Sequence, residues 1–453
     1  MKNIKLITRF LMLSLFVLGY TLLEASPRVY PTGVTIYNPA KTYNSYIFFA
    51  GPDNITHLID MNGNNVKQWP YSGQPSEILD PKVAEGKLGH VVLQLENGKG
   101  SFSNKTFAEL DWDGNVVWQW GKDAPGGEAQ QHHDWYRLPN GNTLILAHIK
   151  NTLFGYNNIT DDVIYEVTPQ GSIVWKWVSV EHLNEFGLLP EGLAYLKKRV
   201  EQSKINERPF DYLHINDMHL VGENKWFKAG DKRFDPENII FDSRNANFVA
   251  IIEKKTGKIV WRLGPNFPDS KISAVKVDEK YDAPRKVDQI SGQHDAHIIA
   301  DGLPGAGNLL LFDNQGSAGY PPVEIRAYSR VLEVNPVTQE VVWEYKGNLS
   351  GGSERSFFSS YISSARRLPN GNTLINEGMN GRFFQVTPTG EIVWEYINPY
   401  VSKPREGQRR GFDNTVYRIQ PVPYEWVPQG TPRTELPVEE FDLSTFKIPA
   451  RAQ

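Results

Sequence analysis

One short pattern recurs six times and limits the folds open to this chain. It is a turn, then β-branched residues, then an aromatic at a fixed offset: MNGNNVKQW (61–69), DWDGNVVWQW (111–120), TPQGSIVWKW (168–177), KTGKIVWRL (255–263), VTQEVVWEY (337–345) and TPTGEIVWEY (387–396). Each copy follows an alternating apolar run such as DVIYEV or SRVLEV, so each reads as a strand–turn–strand hairpin. A second hairpin carries Asn-Gly at its turn, YRLPNGNTLILA (136–147) and RRLPNGNTLINE (366–377); HLVGENKWF (219–227) and ADGLPGAGNLLLFD (300–313) are weaker copies. Two hairpins in succession make a four-stranded unit, and six copies predict six units. Four-stranded sheets repeated around an axis make a propeller, so the expected fold is all-β, a six-bladed β-propeller. A β-sandwich or a pair of barrels does not call for a periodic tryptophan. Trp118, Trp175, Trp261, Trp343 and Trp394 are therefore expected to pack between neighbouring blades.

One insertion reads as helix. LLPEGLAYLKKRV (188–200) has a Pro-Glu start, with Leu193, Leu196 and Val200 on one face, and is placed to cap one mouth of the propeller. Lys2, Lys5 and Arg9 precede the apolar run FLMLSLFVLGYTLL and then EAS, the layout of a secretory signal peptide. The expected organisation is a signal peptide over 1–25, a propeller over 26–420 and an extended tail over 421–453. Export to the periplasm or the extracellular space follows. The chain has no cysteine, so its core has to hold it without disulfides. Its net charge of −4 gives no reason to expect nucleic acid as a partner, or any membrane contact beyond the signal peptide.

Of the ten histidines, six fall on the strand that follows a tryptophan hairpin, four of them at its start. QQHHDWYRLPNG holds His132 and His133, DYLHINDMHLVG holds His214, and SGQHDAHIIADG holds His294; His219 and His297 lie further along the last two strands. The first strand of each blade lines the central channel, so equivalent positions from separate blades converge on one axis. Chelation within one strand is disfavoured, because side chains alternate faces and His294 and His297 are expected on opposite sides, as are His132 and His133. A metal would need ligands from different blades, and no metal is expected. His57, His90, His148 and His182 show no such pattern and are assigned to surface or packing. The Asp or Asn beside each channel histidine (HDW, HIND, QHDA) fixes a backbone turn or orients a tautomer.

At these residues the sequence resembles the bacterial arylsulfate sulfotransferase family that does not use a nucleotide sulfate donor. The resemblance is carried by DYLHINDMHL, by SGQHDAHII with LLLFDNQG, and by SSARRLPNGNTLINEGMNGRFFQVTPTGEIVWEY, and it runs from about residue 30 to about 400. It implies a six-bladed propeller, an exported location, and ping-pong transfer of a sulfuryl group between phenols through a transiently sulfated channel histidine. His214 and His294 match two of the family's pocket histidines. The arginine expected after the FDN strand is Arg326 or Arg330. His133, Asn216, Asp295 and Arg366 complete the expected substrate-binding set. The chain departs from the pattern in one place: no histidine follows His297, and the segment where the sulfated one is expected reads FFSSYISSARRLPNG, with Ser360, Ser363, Ser364, Arg366 and Arg367. Either His294 or His214 takes the nucleophile's role, or the chemistry differs, or the activity is lost.

The residue types suit sulfuryl transfer. A neutral imidazole attacks sulfur, arginine offers a planar fork to the sulfate oxygens, and a second histidine moves a proton to or from a phenol. No cofactor is expected, and the partners are a small aryl sulfate and a phenol. Three other readings stand beside this one: a non-catalytic propeller that holds a sulfated or anionic ligand, a structural propeller with an inert channel, and a quinone-dependent dehydrogenase, which generally has more blades.

Overall fold

The computed structural model describes residues 31–439 except 72, 74, 96–103, 266–284, 287–289, 325 and 403–412. The expected signal peptide lies outside the described residues. Six antiparallel sheets surround one axis. Blade 2 is built from Glu77–Ile78, Val91–Gln94, Phe107–Leu110 and Val116–Trp120, and blade 3 from Gln131–Arg137, Thr143–Leu153, Tyr156–Val167 and Ile173–Val178. Blade 4 follows with Ile215–Leu220, Ile239–Ser243, Phe248–Ile252 and Ile259–Leu263, and blade 5 with His294–Ile298, Leu309–Asp313, Arg330–Asn335 and Glu340–Tyr345. The repeats thus give the blades as read from the sequence, each tryptophan hairpin forming the outer two strands.

The ring closes at both ends of the chain. Blade 6 (Ser364–Arg367, Thr373–Glu377, Arg382–Val386, Ile392–Ile397) gains Gly33–Tyr37 as a fifth, outer strand. Blade 1 (Tyr46–Ala50, Thr56–Ile59, Asn65–Trp69) takes its innermost strand, Ile419–Val422, from the far end of the sequence. The domain boundary expected after residue 420 therefore cuts through a structural strand. Beyond it the chain runs as a strap: Tyr46 Oη donates to Thr431 O at 2.9 Å, Thr434 N to Asp60 Oδ2 at 2.9 Å, and Val438 bridges Tyr37.

The core is divided among the blade interfaces. Each pair of neighbours shares one apolar cluster, such as Trp177, Phe241 and Phe248 between blades 3 and 4, or Phe312, Tyr345 and Phe384 between blades 5 and 6. The periodic tryptophans sit at these seams for a polar reason as well. Their indole N–H donates to the turn of the next blade: Trp118 to Pro169 O (3.0 Å), Trp175 to Lys254 O (3.1 Å), Trp261 to Pro336 O (2.8 Å), Trp343 to Pro388 O (2.9 Å) and Trp394 to Met61 O (2.8 Å). Blade 1 breaks the series. It has Lys67 at the matching place; Trp69, two residues on, packs edge-on against Phe48 and Trp112, and among the described residues its indole N–H has no hydrogen-bond partner.

The insertion is helical over Pro190–Ile205 and buries Leu196 and Val200 in the seam between blades 3 and 4, beside Tyr212. It buttresses the segment that leads into His214. Among the described residues no helix is long and apolar enough to cross a membrane.

Candidate active site in the channel

The six inner strands run the same way along the axis, so their residues form layers. At the N-terminal mouth lie His133, His214 and His294, with Tyr417 among them. In the middle lie Asp134, Asn216, Asp217 and Asp295 around Arg418. His219, His297 and Arg366 sit at the C-terminal mouth, in a cavity of about 560 Å³ that Tyr136, Glu77 and Trp426 also line.

A backbone device repeated in the blades aims the first layer. His133 (φ 50°), His214 (φ 52°), Asp295 (φ 59°) and Ser363 (φ 95°) all adopt the left-handed region at the start of an inner strand. The pairing of the inner strand with its neighbour also slips in blades 3, 4 and 5, in blade 4 just after His214, between Ile215 and Asp217. These are β-bulges, which bend a strand and redirect a side chain. The bulge overturns the expected alternation at the adjacent pair: His132 Nδ1 and His133 Nδ1 are 2.9 Å apart.

Three blades then supply the imidazoles. The rings of His133 and His214 meet edge to face at 4.5 Å, and Tyr417 lies 5.7 Å from His133 and 6.3 Å from His294. His214 is the more open of these, and its Nδ1 is 2.5 Å from Asp211 Oδ2, which favours the Nδ1–H tautomer with the lone pair on Nε2. His294 is committed on both sides. Nδ1–H donates to Asn314 Oδ1 at 2.7 Å, and Nε2 accepts from Ile362 N at 3.1 Å. Burial, with the nearby charge of Arg244, pushes its pKa down to about 3, so it is neutral.

Arg244 follows the inner-facing strand end FDS of blade 4, donates to Asn245 Oδ1 at 2.9 Å, and has its backbone N–H on His214 O at 3.2 Å. It is the arginine of this mouth, and the sequence reading missed it. The signal was there: FDSRN (241–245) occupies the same strand end in blade 4 that FDNQG (312–316) occupies in blade 5. Arg330 instead forks onto Asp313 Oδ2 (2.9 and 2.7 Å) and reaches Glu344 at 3.3 Å. Arg326 lies over Tyr328, and the charges nearest it are those of Arg330, Glu344 and Glu354. Neither expected arginine is brought to the histidines.

The middle layer is an ionic hub. Arg418 Nη1 is 2.9 Å from Asp134 Oδ1, Nη2 is 2.7 Å from Asp217 Oδ1, and Nε is 3.3 Å from Asp295 Oδ1, one carboxylate from each of three blades. The same carboxylates tie blade to blade through backbone N–H groups, Met218 N donating to Asp134 Oδ2 (2.8 Å) and Ala365 N to Asp295 Oδ2 (2.9 Å). Burial lifts Asp134 and Asp295; against the same penalty, His219 and Arg418 hold Asp217 low. The Asp of HDW, HIND and QHDA is thus structural wiring. Asn216 belongs to this layer too: its Nδ2 donates to Gln293 O (3.1 Å) and its carbonyl accepts from Tyr417 Oη (2.7 Å). Asp295 and Arg366, expected to bind substrate, bind each other at 2.5 Å, and Arg366 reaches His219 Nε2 at 3.2 Å, on the far side of the hub from His214.

In blade 6, Ser363 precedes the inner strand with a left-handed φ, as His214 does in blade 4. Its Oγ donates to Ser359 Oγ (2.8 Å) and accepts from Gly378 N (3.0 Å). Ser364 Oγ faces Ile419 N of the closing strand at 3.5 Å. His148, assigned to packing, instead stacks on His132 at 3.5 Å, whereas His57, His90 and His182 pair with Asp53, Glu109 and Glu185. Two groupings with metal-ligand composition, His219–Asp295–His297 and Asp134–Asp217–His219, already hold a guanidinium at their carboxylates, Arg366 in the first and Arg418 in the second.

Fold and site together define a class: a closed six-bladed propeller whose channel is lined by imidazoles and arginines from separate blades. The profile of one family, Arylsulfotransferase (ASST), matches residues 48–399, and the chain belongs to that family. No curated protein matches the sequence. Solved structures resemble it distantly. A protein of unknown function from Bacteroides caccae is 13% identical, covering 84% of this chain and 99% of its own, with a TM-score of 0.43. Virginiamycin B lyase from Staphylococcus aureus is 11% identical (82% and 85% covered, TM-score 0.38), and the Cps50 (Swd1) β-propeller domain of Myceliophteria thermophila is 9% identical (82% and 88%, TM-score 0.37). Family membership carries an arylsulfotransferase-like function in general.

Proposed function

We propose that this chain transfers a sulfuryl group from an aryl sulfate to a phenol through His214, in the N-terminal mouth of the channel. The observation that carries the reading is the meeting of His133 and His214, from different blades, at 4.5 Å beside Arg244. Asp211 keeps the His214 proton on Nδ1, so the Nε2 lone pair attacks sulfur. The S–N bond forms as the S–O(aryl) bond breaks, and Arg244 offsets the charge on the sulfate oxygens. The phenolate leaves readily because its conjugate acid has a pKa of about 10. In the second half-reaction the acceptor phenol attacks the sulfated imidazole and gives up its proton at His133. That proton goes to the next departing phenolate, so no other reactant is consumed. His294, bonded at both nitrogens, holds the pocket wall. The signal-like residues 1–25 support an exported location.

Incubation with a chromogenic aryl sulfate and a phenol acceptor is expected to release the chromophore, and mass spectrometry of protein quenched without acceptor to find a sulfated peptide containing His214. His214→Ala is expected to lose both signals, and activity is expected to fall by at least a hundredfold. No release and no adduct in folded wild-type protein defeats the proposal. The serine that precedes the inner strand of blade 6 favours a second reading, a propeller that binds a sulfated ligand without turnover. Its mark is a ligand bound tightly and returned unchanged.

A further inference from the structure

Blade 3 holds a cluster that the sulfuryl chemistry does not use. His132 lies on its inner strand, His148 on the second and Asp162 on the third. His148 and Asp162 are direct register partners, and His148 N donates to Gln130 O, two residues before His132. Neighbouring positions across a sheet share a face, so three adjacent strands present the three side chains in one row. His132 Nε2 is 3.2 Å and His148 Nε2 is 3.6 Å from the same atom, Asp162 Oδ1.

His132 and Asp162 are fully buried, yet neither His132 Nε2 nor Asp162 Oδ1 makes a hydrogen bond, even at that separation. A buried carboxylate oxygen and an imidazole nitrogen so placed are costly without a cation between them. The off-axis approach is what chelation produces. Two ligands each about 2.0–2.1 Å from one zinc ion lie about 3.2–3.5 Å from each other, with each lone pair aimed at the ion and not at the other ligand.

We propose that His132 Nε2, His148 Nε2 and Asp162 Oδ1 bind one divalent transition ion of the zinc type. Two imidazoles and a carboxylate are borderline donors, unlike the all-oxygen cages that calcium and magnesium prefer. Burial keeps His132 and His148 neutral, with pKa values of about 3 and about 2, the form that ligates. Asp162 is buried among like charges, Asp211 and Asp161, which a dication offsets. The rings stack at 3.5 Å, 17° from parallel, so capture turns both Nε2 atoms toward the ion. The other two groupings of this composition have a guanidinium at their carboxylates; at Asp162, among the described residues, the ion-pair partners are His132 and His148. The site stands whether or not the channel transfers sulfuryl groups.

Zinc titration by calorimetry into chelator-treated, dialysed protein is expected to show one equivalent bound per chain, and cobalt is expected to give the visible d–d bands of a four- or five-coordinate site. His132→Ala/His148→Ala is expected to weaken binding at least a hundredfold, and Asp162→Asn at least tenfold, whereas His219→Ala keeps the full equivalent. Should the double variant fail to fold, the cobalt spectrum of wild type and the Asp162→Asn titration decide. Absence of a stoichiometric equivalent in folded wild type overturns the site, as does undiminished uptake by Asp162→Asn and the double variant.

Discussion

At His294, burial and the nearby charge of Arg244 together set the chemistry of an imidazole. Its ring sits in the channel wall with both nitrogens engaged and a pKa pushed down to about 3, against about 6.5 in an unfolded chain. Between those values the unfolded state binds a proton that the folded state refuses, so stability is fully present above about pH 6.5 and falls as pH drops toward 3. The melting temperature is therefore expected to be flat between pH 7 and 8 and to decline by pH 5. In His294→Gln, whose side chain does not titrate, the decline is expected to be shallower; equal slopes in the two proteins would refute this origin. The contrast with His214 lies in its neighbours. Asp211 sets one tautomer there, while Asn314 and the Ile362 N–H pin His294 from two sides. Both histidines were legible in the sequence from their repeat position. Their division of labour was not, because it depends on Asn314 and Ile362, which belong to other strands and loops.

At the scale of elements, the outer hairpin is a strap between blades as much as a pair of strands. Trp261→Phe keeps most of the apolar volume but leaves Pro336 O without the 2.8 Å donor, and a buried hydrogen bond contributes about 1 kcal/mol. The expected loss, with the smaller ring, is about 1–3 kcal/mol by denaturant unfolding. Trp69→Phe removes an indole N–H that has no partner, so its loss is expected to be smaller. Equal losses would show that the turn contacts contribute nothing. The hairpins were legible because a turn, a β-branched run and an aromatic are local signals. The left-handed residues His133, His214, Asp295 and Ser363 were not: a positive φ at a histidine, aspartate or serine leaves no mark in composition. Blade 3 shows the result, since strict alternation of faces predicted that its neighbouring histidines would part, and the bulge joins them.

For the whole molecule, closure depends on a strand that straddles the boundary expected between propeller and tail, Ile419–Val422, and on Arg418 just before it. The reasoning available was topological: five inner strands precede their hairpins, so the sixth has to come from the end of the chain, and Tyr417-Arg418-Ile419 alternates as a strand should. Truncation after residue 412 is expected to remove the innermost strand of blade 1 and the hub arginine together, leaving Asp134, Asp217 and Asp295 buried without their shared partner. The expected outcome is loss of the single cooperative unfolding transition that the full chain is expected to show by calorimetry. A cooperative transition in the shorter chain would show that five sheets close without the sixth strand. Arg418 is made after the strands that carry Asp134, Asp217 and Asp295. Until it arrives, the three carboxylates of the nascent ring lack their shared partner, and the channel has no floor between its mouths. Synthesis thus delays the finished cavity until its closing strand appears.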